Sequence, residues 1–239
     1  MTDFKVETLK PLCEESGFTL TDEAVERLNL YGNLLLEKNK VMNLTAITEP
    51  GEVLYKHFYD CLLFFGAVDV PENAKIIDVG TGAGFPGIVL KIARPDIEIT
   101  LLDSLAKRVG FLSDVLNELS LKGDTVHLRA EEGGRLKELR EKFDIACARA
   151  VAKLNLLCEY CVPYVKVGGV FVAMKGGEPQ EEVKESLSAF NLLGCEAPEV
   201  KPAILPQGDK RSFIIAKKIS QTSPKYPRNS AKISKAALI

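Results

Sequence analysis

The chain has 239 residues, 46% of them hydrophobic, and its 31 basic and 33 acidic side chains leave a net charge of −2. That length suits one large α/β domain with a helical extension, or two small domains. No apolar run nears the roughly 20 residues that span a bilayer, and the opening MTDFKVETLK is too polar for a secretory leader, so membrane-embedded classes are set aside and a cytoplasmic location is expected. The six cysteines sit singly among apolar neighbours and read as reduced, mostly buried thiols. Cys158-x-x-Cys161 has no second pair, and His57 and His127 stand alone, so core packing is expected there and no metal.

Residues 3–45 read as helical. Val6, Leu9, Leu12 and Cys13 share one face, and Gly17 can end that helix. Thr21 is an N-cap candidate for a second helix, with Val25, Leu28, Tyr31 and Leu35 on its buried face. Thr48 is a candidate cap for a third helix that carries Leu54, Phe58, Cys61, Leu62 and Phe65 and stops at Gly66. From Lys75 the pattern changes. An apolar strand runs into KIIDVGTGAGFPG, where Gly80, Gly82, Gly84 and Gly87 fall within eight residues and a helix follows. Such a turn lets a ligand touch bare backbone, and the helix offers it free N–H groups.

Ile97–Leu102 is a second strand ending at Asp103. A helix with Leu105, Val109, Leu112, Leu116 and Leu119 on its buried face follows. Thr125–Leu128 is a third strand running into Ala130-Glu131, and Phe143–Ala148 a fourth leading to Arg149. After a helix at Leu154–Val162, Gly169–Met174 is a fifth strand leading to Lys175. Glu178–Leu193 is a helix with Val183, Leu187 and Phe190 on one side, and Ser212–Lys218 a late strand that can pair with another in 194–204. Strand–helix alternation demands right-handed crossovers and a mostly parallel sheet. The last two strands lack a helix between them and should pair antiparallel. The expected organisation is a helical cap at 1–66, a cofactor-binding domain at 67–219 and a basic flexible tail at 220–239.

Charge is uneven. Residues 210–239 hold eight of the 31 basic groups and no acid, which leaves 23 against 33 in the rest, a body of −10. A polyanion partner and a solubilising terminus both fit this distribution.

Two cofactors compete for the glycine stretch. Gly82-Ala83-Gly84-Phe85-Pro86-Gly87 matches the dinucleotide fingerprint G-x-G-x-x-G, with Asp103 placed to take a ribose. The longer pattern Asp78-x-Gly80-x-Gly82-x-Gly84 puts a carboxylate before the turn. That charge repels a diphosphate and welcomes an ammonium, which favours S-adenosyl-L-methionine. Asp103 would then accept from its ribose hydroxyls, and Ala130-Glu131 would flank its adenine.

The stretches DVGTGAGFPG, LLDSLAKRVGFL, RAEE, CARAVAKL and VAMKGG, with NLTAITEP and KHFYDCLL upstream, resemble the bacterial small-subunit rRNA guanine-N7 methyltransferases, once named glucose-inhibited division proteins B. The likeness covers residues 25–220, and PKYPR at Pro224–Arg228 looks like the family's ending. It implies a Rossmann-like class I AdoMet-dependent methyltransferase: a mostly parallel seven-stranded sheet ending in an antiparallel strand, with an N-terminal helical extension. It also implies methyl transfer to N7 of a guanosine, with 16S rRNA or the small ribosomal subunit as partner, no membrane association, and a monomer. Carried over, Gly80 and Phe85 contact AdoMet, and Asp103, Ala130, Glu131 and Arg149 complete its pocket. Phe85 stands where the family sometimes has Leu.

Each residue also has a plainer reading. Asp78 and Asp103 can be helix caps, Glu131 a loop acid, Arg149 a surface ion pair and Lys175 a solvated amine. His57, a substrate-side candidate with Arg149 and Lys175, can instead contact Asp60 or backbone, and His127 reads as structural. No general acid or base is expected. The rival functions are a nicotinamide-dependent oxidoreductase, which would bind NAD, and a non-catalytic RNA-binding protein, which an intact glycine stretch argues against.

Overall fold

Thr21 Oγ1 accepts a hydrogen bond from the amide of Ala24 (3.2 Å) and starts the longest helix of the protein, whose computed structural model describes residues 2–238. The N-terminal layer comprises α1 (Leu9–Glu15), α2 (Asp22–Met42) and a helical run of three pieces, α3 (Pro50–Val53), α4 (Asp60–Leu62) and α5 (Phe64–Ala67). A π-helical turn, Leu54–Tyr59, joins α3 to α4. Glu49 rather than Thr48 occupies the cap of α3, without a side-chain bond, and Pro50 opens it, where a missing N–H costs nothing.

The alternating part follows as β1 (Lys75–Val79), α6 (Gly87–Ala93), β2 (Glu98–Asp103), α7 (Ala106–Glu118), β3 (Asp124–His127), α8 (Ala130–Gly133), β4 (Phe143–Arg149), α9 (Leu154–Cys161), β5 (Val165–Gly176), α10 (Gln180–Leu193), β6 (Glu199–Ile204), β7 (Lys210–Lys217) and α11 (Ser230–Lys235). The strands form one sheet in the order β3-β2-β1-β4-β5-β7-β6. The first five pair in parallel, and β7 runs antiparallel to both β5 and β6. The missing helix between β6 and β7 makes them a hairpin, as the spacing predicts. Strand order reverses beside β1, so a crevice opens at the carboxyl ends of β1, β2 and β4.

Period-two alternation sorts the side chains between two cores. Ile76, Ile99, Cys147, Val172, Met174 and Phe213 face a core filled by the N-terminal helices, α6 and α7. Ile77, Val79, Ala148, Phe171, Ala173 and Ile214 face another filled by α9 and α10, in which Cys158 and Cys161 are buried. The N-terminal helices are thus one full face of a three-layer molecule. Among the described residues, no helix is long and apolar enough to cross a membrane.

Two expected helix faces hold in part. Near α7, Leu112, Leu116 and Leu119 are buried as expected and Phe111 and Val115 join them, whereas Leu105 precedes the helix and is exposed. On α10, Phe190 is buried and Val183 packs against the core as expected, but Ser186, Ala189 and Leu193 complete the stripe and Leu187 faces solvent.

The last segment also differs from the expected flexible tail. Residues 222–238 lie along α8 and α9, with Tyr226, Ile233 and Leu238 buried. Glu159, on α9, is fully buried and accepts bonds from the Arg228 amide (2.6 Å) and guanidinium (2.7–3.0 Å). Lys218 is buried against Glu141 (2.7 Å), and Arg211 is paired with Asp60 (2.9 Å). With Lys210, which pairs with Glu178 on the surface (3.5 Å), four of the eight cations that suggested a polyanion partner therefore face acids of the body.

Candidate active site at the carboxyl edge of the sheet

The four glycines after β1 have two different jobs. The amides of Gly80 and Thr81 both donate to the Leu102 carbonyl (2.8 and 3.1 Å), which draws the turn across the end of β2. Gly82 has φ +62°, and a Cβ built there would meet nothing nearer than the Gly80 carbonyl at 4.0 Å. Its bare face opens on free space. Gly84 and Gly87 face inward instead. A Cβ on Gly84 would press on Ile88 (2.6 Å), the Tyr31 hydroxyl (2.9 Å) and Leu112 (3.0 Å), and one on Gly87 would overlap Leu101 (2.3 Å). These two let α6 and α2 approach the turn. Tyr31 donates its hydroxyl to the Ala83 carbonyl (2.6 Å), so a residue of α2 bolts the glycine loop in place.

Asp103 is buried at the end of β2. Its Oδ2 accepts the Gly82 amide and its Oδ1 the Leu105 amide, both at 2.9 Å. Arg108 also pairs with Oδ2 (3.5 Å), and Oδ1 keeps a further lone pair for a hydroxyl donor. Asp78 is completely buried beneath the loop. Its Oδ2 accepts from Thr81 Oγ1 (2.6 Å) and from the Gly87 amide at the start of α6 (2.8 Å), the capping role. Its Oδ1 has no partner, and burial raises the carboxyl pKa to about 6. A buried oxygen without a donor costs free energy, and an ammonium group would satisfy it.

Arg149, at the end of β4, organises the other side of the crevice. It donates through Nη1 to Asp60 Oδ2 (2.8 Å) and the Lys56 carbonyl (3.1 Å), and through Nη2 to His57 Nδ1 (3.2 Å). Its guanidinium lies 4.9 Å from the Phe85 ring centroid, and His57 stacks on that ring at 4.4 Å. Nδ1 also lies 3.1 Å from the Lys56 carbonyl; a guanidinium only donates, so in the tautomer that bonds Arg149, Nδ1 accepts and Nε2 donates its proton to Thr45 Oγ1 (2.9 Å). Burial, then the adjacent Arg149 cation, lower the His57 pKa to about 3. His57 is therefore a neutral spacer at physiological pH.

Lys175 lines the same cavity as His57 and Arg149, but its ammonium is engaged elsewhere. Its ammonium bonds the Ala152 carbonyl (2.8 Å) and Glu182 (3.0 Å), and Glu182 also accepts the Leu154 amide (3.1 Å). This trio fixes the turn whose Val151 covers Gly80. Ala130 and Glu131 open α8, past the strand level where Asp103 pairs with His127. His127 is exposed and contacts only the Ser104 carbonyl (3.1 Å). Between the π-helical turn and the ends of β4, β5 and β7 lies a cavity of about 360 Å³. Lys56, His57, Asp60, Arg149, Met174 and Arg211 are among its lining. Small-ligand pockets fall in this size range.

A profile of the family described as rRNA small subunit methyltransferase G, or GidB, matches residues 24–209. The chain belongs to this family. It is 49% identical over 229 residues to ribosomal RNA small subunit methyltransferase G of Alkaliphilus metalliredigens, covering 95% of this chain and 96% of the relative. It is 47% identical to the protein of that name from Desulforamulus reducens, covering 95% of each. Among solved structures it resembles precorrin-6y C5,15-methyltransferase of Geobacter metallireducens (TM-score 0.53, 16% identity, 74% of this chain and 92% of that one). It also resembles a SAM-dependent O-methyltransferase of Thermotoga maritima (TM-score 0.52, 18% identity, 79% and 72%). At these identities the structures speak for the fold, the expected Rossmann-like methyltransferase sheet. The oxidoreductase and the non-catalytic RNA binder find no support in these relatives.

Family membership leaves unexplained what holds Arg149. Asp60 does, with Arg211 on its other oxygen, and neither residue stands out in the sequence. Asp60 looks like one more helix acid, and its partners lie 89 and 151 residues away. Tyr31 was legible as a buried helix residue but not as a donor to the glycine loop.

Proposed function

We propose that this protein transfers a methyl group from S-adenosyl-L-methionine to N7 of a guanosine in 16S rRNA. The carrying observation is the open face of Gly82 beside Asp103, in the crevice where strand order reverses, with a separate cavity around Arg149, whose guanidinium lies over Phe85 of the same glycine loop. In this reading the glycine loop from Gly80 to Phe85 cradles the cofactor. Asp103 takes its ribose hydroxyls, Ala130 and Glu131 flank its adenine, and the free oxygen of Asp78 offers an acceptor to its ammonium. When bound, the cofactor supplies an activated methyl group on a sulfonium.

The rest is positioning. Guanine N7 carries an available lone pair at neutral pH, so no base has to uncover it and no proton leaves. A neutral His57 suits such chemistry, because it shapes the wall without competing for a proton. Asp60 fixes Arg149, Arg149 orients His57 and lies over Phe85, and His57, stacked on Phe85, is part of the wall of the cavity that would receive the purine. Alignment of this kind supplies on the order of 7–11 kcal/mol. The target base must leave its stack to enter; Lys56 and Arg211 on the lining are paired with Glu52 (2.6 Å) and Asp60 (2.9 Å), so a phosphate would share each cation with a carboxylate.

The test is mass spectrometry of 16S rRNA from cells with and without the gene, followed by transfer of labelled methyl groups to the unmodified rRNA by the purified protein. Loss of one N7-methylguanosine in the deletion, restored in vitro, is expected. Identical modification in both strains overturns the proposal.

A further inference from the structure

The packed C-terminal segment touches α8, the short turn that carries Ala130 and Glu131. α8 has only four residues, Ala130–Gly133. A turn that short cannot hold its own position. From within, Tyr164 donates to the Ala130 carbonyl (2.6 Å). From outside, the contacts come from the C-terminal segment and from Arg140. Pro227 closes on Gly134: a Cβ built on that glycine would lie 3.2 Å from Pro227 Cγ. Arg135 donates to the Lys225 carbonyl (3.4 Å). Arg140 ties both parts together, donating through Nη1 to the carbonyls of Gly134 (2.9 Å) and Tyr226 (2.8 Å), and through Nη2 to those of Thr222 (2.6 Å) and Ser223 (3.3 Å). Farther along, Arg228 on Glu159 anchors the segment to α9, and Thr222 is fixed by its amide on Glu141 (2.8 Å) and its hydroxyl on the Leu193 carbonyl (2.7 Å).

We infer that residues 222–238 are a strap that completes the cofactor site, with Arg140 the positioning residue that couples it to the Ala130–Glu131 wall. Four carbonyls take the four Nη N–H donors of Arg140, leaving only its Nε–H, and these bonds turn it toward the strap rather than the crevice. Its effect on the reaction therefore runs through α8. The strap's role is mechanical support of one wall, and the segment's remaining exposed lysines are not needed for it. The inference rests on the proposed cofactor site, so its test separates the two.

Arg140→Ala and the milder Arg140→Lys are made in the full chain. Lysine keeps the charge but cannot serve four carbonyls at once. Cofactor binding is measured by titration calorimetry with S-adenosyl-L-methionine, and amide hydrogen exchange is followed over residues 130–134. The expected result is a Kd about tenfold weaker for Arg140→Ala, the equivalent of one lost hydrogen bond's worth of positioning, and an intermediate value for Arg140→Lys. Exchange at 130–134 should quicken, KM for the cofactor should rise, and kcat and KM for rRNA should hold. A folded variant of either kind that binds the cofactor as wild type does overturns the inference. Wild-type protein that fails to bind S-adenosyl-L-methionine at all overturns the cofactor reading beneath it.

Discussion

Gly82 and Gly84 are two residues apart, and the structure assigns them opposite sensitivities. Alanine at Gly82 adds a methyl group where no protein atom lies nearer than 4.0 Å, so only the left-handed backbone, φ +62°, opposes it. That conformation costs an L-residue about 1–2 kcal/mol, which in a domain of this size lowers Tm by about 2–8 °C. Alanine at Gly84 meets φ +107° together with Ile88, Leu112 and the Tyr31 hydroxyl, all within 3.0 Å. Backbone strain there adds to core overpacking, about 3–5 kcal/mol in sum, and the Tyr31 bolt on Ala83 is strained with it. The assay is a thermal melt of each variant, with calorimetric titration of S-adenosyl-L-methionine into any that remains folded. Gly82→Ala should stay folded and lose at least tenfold in affinity, because its methyl occupies the cradle. Gly84→Ala should melt lower by the larger margin. Wild-type affinity in Gly82→Ala would refute the cradle, and equal melts for the two variants would refute the division between open and packed glycines.

Asp103→Ala should weaken cofactor binding by about 1–3 kcal/mol by titration, and it also frees the amides of Gly82 and Leu105. Unchanged affinity would leave Asp103 as a cap alone. Asp60→Ala leaves the guanidinium of the buried Arg149 without its carboxylate, so chemical denaturation should show a loss of about 3–5 kcal/mol. For His57 the sign follows from its pKa, lowered in the folded state to about 3 from 6.5. The unfolded chain binds the extra proton between those values, so the stability due to a neutral His57 is present above pH 6.5 and drains away as pH falls toward 3. His57→Gln should narrow the gap in Tm between pH 7 and pH 4.5, and the rate profile of wild type should show no step near 6.5 from this group. A step that disappears in His57→Gln would contradict the neutral-spacer role.

The strand sequence and the glycine turn were legible because both are local: alternation and spacing sit within a few residues. The sheet's antiparallel end was legible for the same reason, as two strands without a helix between them. The faces of α7 and α10 were legible in part: Leu112, Leu116, Leu119 and Phe190 are buried as the period requires, while Leu105 falls before its helix and Leu187 faces solvent, which the period alone does not distinguish. The network around Arg149 was illegible because its members come from 45, 57, 60, 149 and 211, brought together by sheet order. The basic end was misread as free because its partners, Glu141, Glu159 and Asp60, are scattered over the body. Counting charge along the chain cannot show which charges are already paired.

The bond from Tyr31 to Ala83, together with the core that joins Phe4 to Phe213, has a consequence for synthesis. The first helices to leave the ribosome carry an apolar face whose cover is the sheet, and the last strand of that cover arrives about 200 residues later. At 5–20 residues per second that interval is on the order of 10–40 s. The cover comes in stages: the glycine loop, α6 and α7 can reach α2 once residue 118 has emerged, whereas Phe64 of α5 waits for Phe213 of β7. Nascent chains of this protein should therefore engage a holding chaperone until β7 has emerged. Moving the N-terminal helices to the carboxyl end by circular permutation would shorten their exposure while keeping the same native contacts.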